Sequence, residues 1–188
     1  ELQESERVNL KAIFESAPVG MLLLDEETMI VNANAVVSDM VLRAPSQVIG
    51  QRAGGGLSCI HSLENKKGCG FAQACPECPL RKGILQVLTS GTSVHKAEIQ
   101  PTLLINGQQQ RPWLSVSAEP VILNGRKHVI VAVDNITDRK QAEEAMRESE
   151  FHFRQLFESL PQLVWTCQPD GPCDFLSPQW VKYTGIPE

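Results

Sequence analysis

Four of the six cysteines, Cys59, Cys69, Cys75 and Cys78, fall in one short stretch in the order C-x9-C-x5-C-x2-C. Two thiolates separated by two residues can hold one metal ion from a single turn, and two more brought in by a loop complete a tetrahedral set. Gly68 and Gly70 flank Cys69, and Pro76 and Pro79 flank Cys78. The glycines permit the tight turns that a metal knuckle needs. Zinc and an iron–sulfur cluster both accept four thiolates, so the spacing leaves both open. His61, two residues after Cys59, is a candidate substitute ligand. Four small buried residues, or two incidental disulfides, are the competing readings. Cys167 and Cys173 stand apart from this group, on either side of Pro169-Asp170-Gly171, and are expected to be free thiols facing each other across a hairpin.

Other chemistries fit less well. Cys75 and Cys78 as a catalytic redox pair would need a strand running into a helix at the motif, and that order is missing. Cys75-Pro76-Glu77-Cys78-Pro79 has no following His for covalent haem attachment. Gly54-Gly55-Gly56 lacks both the G-x-G-x-x-G spacing and a following Lys-Ser/Thr, so it is no phosphate loop.

The elements that must position the cysteines can be read from periodicity. Residues 1–17 place Leu10, Ile13, Phe14 and Ala17 at helical spacing, ended by Pro18. Val19–Leu24 and Met29–Val31 read as a hairpin across Asp25-Glu26-Glu27-Thr28. A short helix is expected over 34–42, Gly50 and Gly54–Gly56 read as a flexible segment, and a helix over 79–88 is stopped by Gly91. The period then becomes two. Residues 94–105, 113–123 and 127–133 read as strands joined by Asn106-Gly107 and Asn124-Gly125, strong hairpin turns. The order predicts an α+β fold, a five-stranded antiparallel sheet with helices over one face.

From Asn135 the chain turns helical. Asn135 or Thr137 can cap the first turn, and Ala142, Ala145, Met146, Ser149, Phe153, Leu156, Phe157 and Leu160 lie on one stripe. The stripe suits either a surface helix packed on its own domain or a connector that pairs with a second copy. Residues 13–18, IFESAP, recur at 156–161 as LFESLP, each followed by an apolar run, a turn and a second strand candidate, the mark of a duplication.

Composition limits the function classes. A hydrophobic content of 42% with 21% charged residues is ordinary for a folded domain. A net charge of -5 offers no uniform basic field for nucleic acid or anionic lipid. The longest apolar run, Val19–Leu24, falls far short of the roughly 18 residues of a membrane span, and no secretory signal opens the chain. A cytoplasmic location is expected, with membrane association open for a longer parent protein.

The order of elements and several motifs resemble the PAS family of sensor domains with its C-terminal PAC part. Residues 14–20, FESAPVG, are similar to the family's entry into its first strand, Val31-Asn32-Ala33-Asn34 to the end of the second, and Val48-Ile49-Gly50 to the entry of the middle helices. Residues 133–144, VDNITDRKQAEE, are similar to its last strand, Asp-Ile-Thr turn and connector helix, except that Asn135 stands where Asp is usual and Asp134 lies one place earlier. Residues 165–171 and 176–180 resemble PAS domains of multi-domain histidine kinases.

The resemblance implies an N-terminal helix over 1–12, a sensor domain over 13–138, a connector helix over 139–155 and the front of a second PAS domain over 156–188. It implies a ligand cavity in the helical middle, with Asn32 and Trp113 as candidate contacts, and a signal relay through Asp134, Asn135 and Thr137. Neither the cysteine-containing flavin motif of photosensing relatives nor a haem-ligating His in 79–88 is present. The expected role is non-catalytic sensing of a redox, metal or small-molecule cue, with homodimerisation through the flanking helices. An output domain, first a histidine kinase and second a diguanylate cyclase, is expected beyond Glu188. The alternatives are a ligand-free dimerisation spacer and a thiol redox enzyme.

Overall fold

The computed structural model describes residues 2–185, excepting the side chains of residues 2–7 and Leu10. The chain forms two compact units, Glu1–Thr137 and Asp138–Glu188. The sequence-based place of Leu10 on the first helix's stripe lies outside the described side chains, and the chain end at Glu188 outside the described residues.

The first unit begins with helix α1 (Leu2–Ser16), which ends just before Pro18 as the spacing predicts, so the domain bound placed at residue 12 falls inside it. Strands β1 (Gly20–Leu24) and β2 (Ile30–Ala33) form the opening hairpin. Short helices α2 (Ala35–Val41), α3 (Pro45–Val48) and α4 (Ala53–Gly56) follow, and then α5 (Pro79–Ser90), which ends at Gly91 in the left-handed conformation. The sheet is completed by β3 (Val94–Ile99), β6 (Leu114–Leu123) and β7 (Arg126–Asn135), with β4 (Leu103–Ile105) and β5 (Gln108–Gln110) between β3 and β6. All pairings are antiparallel and the order is β2-β1-β7-β6-β3.

Period-two alternation puts Leu22 and Leu24, Leu114 and Val116, and Val129, Val131 and Val133 on one buried face. Val37 and Val41 of α2 and Leu80, Ile84 and Val87 of α5 cover that face. Each buried Leu or Val contributes about 1.5–3 kcal/mol relative to exposure, so this face is the main stabilising feature.

Two expectations need correction. The single strand expected over 94–105 is broken at Gln100-Pro101-Thr102, and β4 pairs with β5 in a separate ribbon around Asn106-Gly107. Pro101 has no amide for a ladder, so the strand cannot run through it. The glycine segment expected to be flexible is instead the buried turn α4. A Cβ on Gly56 would stand 2.3 Å from Ile30 Cδ1, and one on Gly54 2.7 Å from Cys69 Sγ. These glycines are there for close packing.

In the second unit, α6 (Thr137–Ser159) runs beyond the expected 139–155 at both ends, and its described side chains include none that is buried. Strands β8 (Trp165–Cys167) and β9 (Cys173–Leu176) pair, and α7 (Pro178–Thr184) follows. This unit repeats the opening of the first at one constant displacement, the one that takes Pro18 to Pro161. Leu22↔Ala33, Leu23↔Asn32 and Leu24↔Ile30 recur as Trp165↔Leu176, Thr166↔Phe175 and Cys167↔Cys173, with the register shift at the same place. The turn bonds recur as well: Asp25 N–H to Met29 O and Thr28 N–H to Asp25 O become Gln168 N–H to Pro172 O and Gly171 N–H to Gln168 O.

Candidate functional site

The cysteine segment is held between α4 and the β4–β5 ribbon. Cys59 opens a 3-10 turn (Ile60–Ser62), and its strand-like bridge to Leu103 is fixed by bonds from Ile60 N–H to Thr102 O and from Leu104 N–H to Ser58 O. Cys69 lies in the Gly68-Cys69-Gly70 loop, where both glycines have positive φ. Cys75 opens a second 3-10 turn (Cys75–Glu77), and Cys78 is the residue that enters α5. Cys75 is buried, and the other three are half-buried free thiols.

All four cysteines line one cavity of about 370 Å³. Leu57, Leu80, Ile84 and Leu103 form an apolar wall, and Arg52, Arg81 and His61 contribute polar groups. Burial pushes the Cys59 and Cys69 thiols above the ordinary thiol range, and neighbouring sulfurs add to the effect. Backbone amides oppose it, those of His61 and Ser62 at Cys59 and those of Gly54 and Gly55 at Cys69. His61 Nδ1 lies 2.6 Å from Glu64 Oε1. Among the described residues, no three His, Cys, Asp or Glu side chains are disposed as they stand to share a metal ion.

The two residues expected as cavity contacts do not line it. Asn32 is exposed on the edge strand β2, and its Oδ1 accepts from the Ala33 amide at 3.0 Å. Alternation along the chain explains Trp113: Leu114 points into the cavity wall, and its neighbour Trp113 does not. The backbone of Trp113 has another role. Its N–H donates to Thr137 Oγ1 at 3.0 Å, and its carbonyl accepts from the Ile136 amide at 2.9 Å. Thr137 in turn donates both its amide and its hydroxyl to Asn135 Oδ1, at 3.1 and 2.6 Å. Asn135 and Thr137 are therefore joined in one knot at the start of α6, whereas Asp134 is an exposed residue on β7 outside it.

One buried polar residue was not singled out from the sequence. Asn34, fully buried, accepts from Met21 N–H at 2.9 Å and Val37 N–H at 3.4 Å, and donates to Phe14 O at 3.2 Å and Val19 O at 2.9 Å. It ties α1, β1 and α2 together. An Asn directly before Ala-Val-Val was a capping signal, but the crosslinks to residues 14–21 had no sequence mark.

Residues 9–74 match a family model described as PAS domain. Over that stretch the first unit is similar to PAS domains. An uncharacterized protein, y4lL, of Sinorhizobium fredii (strain NBRC 101917 / NGR234) is 29% identical over 99 residues, which covers 51% of this chain and 12% of that protein. The chain thus matches only a small part of that relative's length. Among solved structures, an RNA-binding light-oxygen-voltage receptor superposes with a TM-score of 0.52 at 18% identity, over 77% of this chain and 37% of the other. The PAS domain of nitrogen regulation protein NR(II) from Vibrio parahaemolyticus gives 0.45 at 18% identity, over 66% and 95%. These likenesses concern the PAS fold. No helix among the described residues is long and apolar enough to cross a membrane.

Proposed function

We propose that this chain is the sensory part of a cytoplasmic signalling protein, of the sensor histidine kinase kind, in which a cue received at the cysteine-lined cavity is relayed through the start of α6. The observation that carries this reading is a covalent neighbour relation. Leu114 lines the cavity, and Trp113, next to it, holds Ile136 and Thr137 through its backbone. In this reading a shift of β6 at the cavity wall is passed through that backbone contact to the first residues of the helix. The hairpin repeat in the second unit supports reading residues 156–188 as the opening of a second PAS domain.

A second reading, a dimerisation spacer without a cue, is favoured by one feature of α6. Met146, Phe153 and Leu156 are all more than half exposed on it, as a helix that pairs with a copy of itself would require. The two readings separate in one experiment. Ile99→Phe fills the cavity from its wall, and hydrogen exchange is read at the Ile136 and Thr137 amides. A several-fold change there, with the sheet core unchanged, supports the relay. Unchanged exchange at both amides in a folded variant favours the spacer.

A further inference from the structure

The four cysteines are drawn from three separate pieces of chain to line one cavity. A Cβ built on Gly54 would meet both the Cys69 sulfur, at 2.7 Å, and the Cys59 Cβ, at 3.6 Å, so these two side chains pack against the same point of α4. The Cys69 sulfur sits on Gly54, the one residue type that leaves room for it there.

The surrounding charge has the matching sign. A divalent ion held by four thiolates carries two net negative charges. Two guanidinium groups, Arg52 and Arg81, line the same cavity. Arg52 donates to the Cys69 carbonyl at 3.3 Å and stacks on the Phe71 ring, yet its buried Nε has no partner among the described residues. Arg81 packs so closely on Gly70 that a Cβ there would meet its Nη1. Both arginines are half-buried, and a buried donor left unpaired, as Arg52 Nε is, favours a negative charge beside it.

We propose that Cys59, Cys69, Cys75 and Cys78 bind one thiophilic divalent cation of the zinc type, with Arg52 and Arg81 balancing the charge of the tetrathiolate. Each ligating thiol releases its proton to solvent on loading. The sulfurs as they stand do not share one centre, so loading entails rotation of cysteine side chains toward each other. The binding deepens the sensory reading of the cavity and rests on that reading only for its consequence; ion content and signal output are measured apart, so either can fail alone.

The test uses the whole chain, purified anaerobically and reduced. Elemental analysis is expected to find one zinc per chain, and exchange with Co²⁺ to give the intense visible absorption of tetrahedral thiolate cobalt. The spectrum is expected to disappear in Cys75→Ser and Cys78→Ser and to survive in Cys167→Ser/Cys173→Ser. Arg52→Gln, which keeps all four ligands, is expected to weaken zinc about 10–100-fold, as loss of an outer-shell partner does. Because a ligand variant can unfold, alkylation of the wild-type chain with and without zinc is a second reading, and zinc is expected to protect four of the six thiols. A folded chain that holds no zinc, gives no cobalt–thiolate absorption and leaves all six thiols open to alkylation overturns the proposal. Iron with acid-labile sulfide in place of a single divalent ion overturns it equally.

Discussion

The two hairpins of this chain have the same register, the same irregularity and the same turn bonds, but opposite surroundings. In the first, Leu24 and Ile30 face each other and are buried by the sheet and α2. At the same places in the second stand Cys167 and Cys173, exposed, with their sulfurs 2.7 Å apart. The anchor residue recurs too. Ser177 stands where Asn34 does, accepts from Val164 N–H at 3.2 Å, donates to Gln162 O at 3.5 Å, and is fully buried. The local hydrogen-bond motif thus closes the hairpin by itself, while burial of its apolar pair depends on strands β6 and β7. Geometry is local here, and stability is not.

If that is right, breaking the anchor should matter most where a core depends on it. Asn34→Ala removes four side-chain hydrogen bonds and leaves the part-buried amide of Met21 and carbonyl of Val19 without them, at about 1–3 kcal/mol for each such group. A loss of about 3 kcal/mol is expected in urea denaturation of the first unit, and Asn34→Ser, copying the second hairpin, should recover part of it. An Asn34→Ala chain as stable as the parent would mean that the anchor only decorates a hairpin fixed by its core.

The cysteine pair allows the reverse manipulation, adding a constraint where the core is absent. Two thiols and one molecule of oxidised glutathione give one protein disulfide and two molecules of reduced glutathione. Closing so short a loop is worth about 2 kcal/mol to the second hairpin in the chain-entropy model. Slower hydrogen exchange in 165–176 after oxidation, reversed by reductant and absent in Cys167→Ser, is the expected result. Cys167 is held above the ordinary thiol range by its hydrogen bond with Cys173, so attack by its thiolate should quicken as pH rises. A smaller effect is expected from Ser177→Ala, about 1 kcal/mol and confined to exchange at 162–180, because little packed core depends on it.

The sequence was informative where periodicity or turn chemistry repeats. Alternation at 113–123 and 127–133 revealed the central strands, Gly91 the end of α5, and the IFESAP/LFESLP repeat the second hairpin. It was silent where one residue type serves two purposes. Glycines at 54–56 read as flexible although they are packed, because absence of a side chain marks both uses. Pro101 was the visible sign that the strand ends before β4, but it was outweighed by the apolar residues on either side. Of the site, the grouping of the four cysteines was read from their spacing, and all four line one cavity. Arg52 and Asn34 were not legible, since their importance lies in contacts with residues far along the chain.

The turn between the paired strands gives the finest test of the comparison. Thr28 adopts φ 67°, and its counterpart in the second hairpin is Gly171, φ 111°. A β-branched residue in the left-handed region is strained by about 1–2 kcal/mol, whereas glycine enters it freely but is more disordered when unfolded. Thr28→Gly should therefore stabilise the first unit by about 0.5 kcal/mol, the small remainder of two opposed effects, seen as a higher urea midpoint at unchanged slope. Thr28 also lines the cysteine-lined cavity. If the variant is instead destabilised, the threonine side chain contributes packing there that outweighs its backbone strain, and the first hairpin has traded turn geometry for its cavity wall.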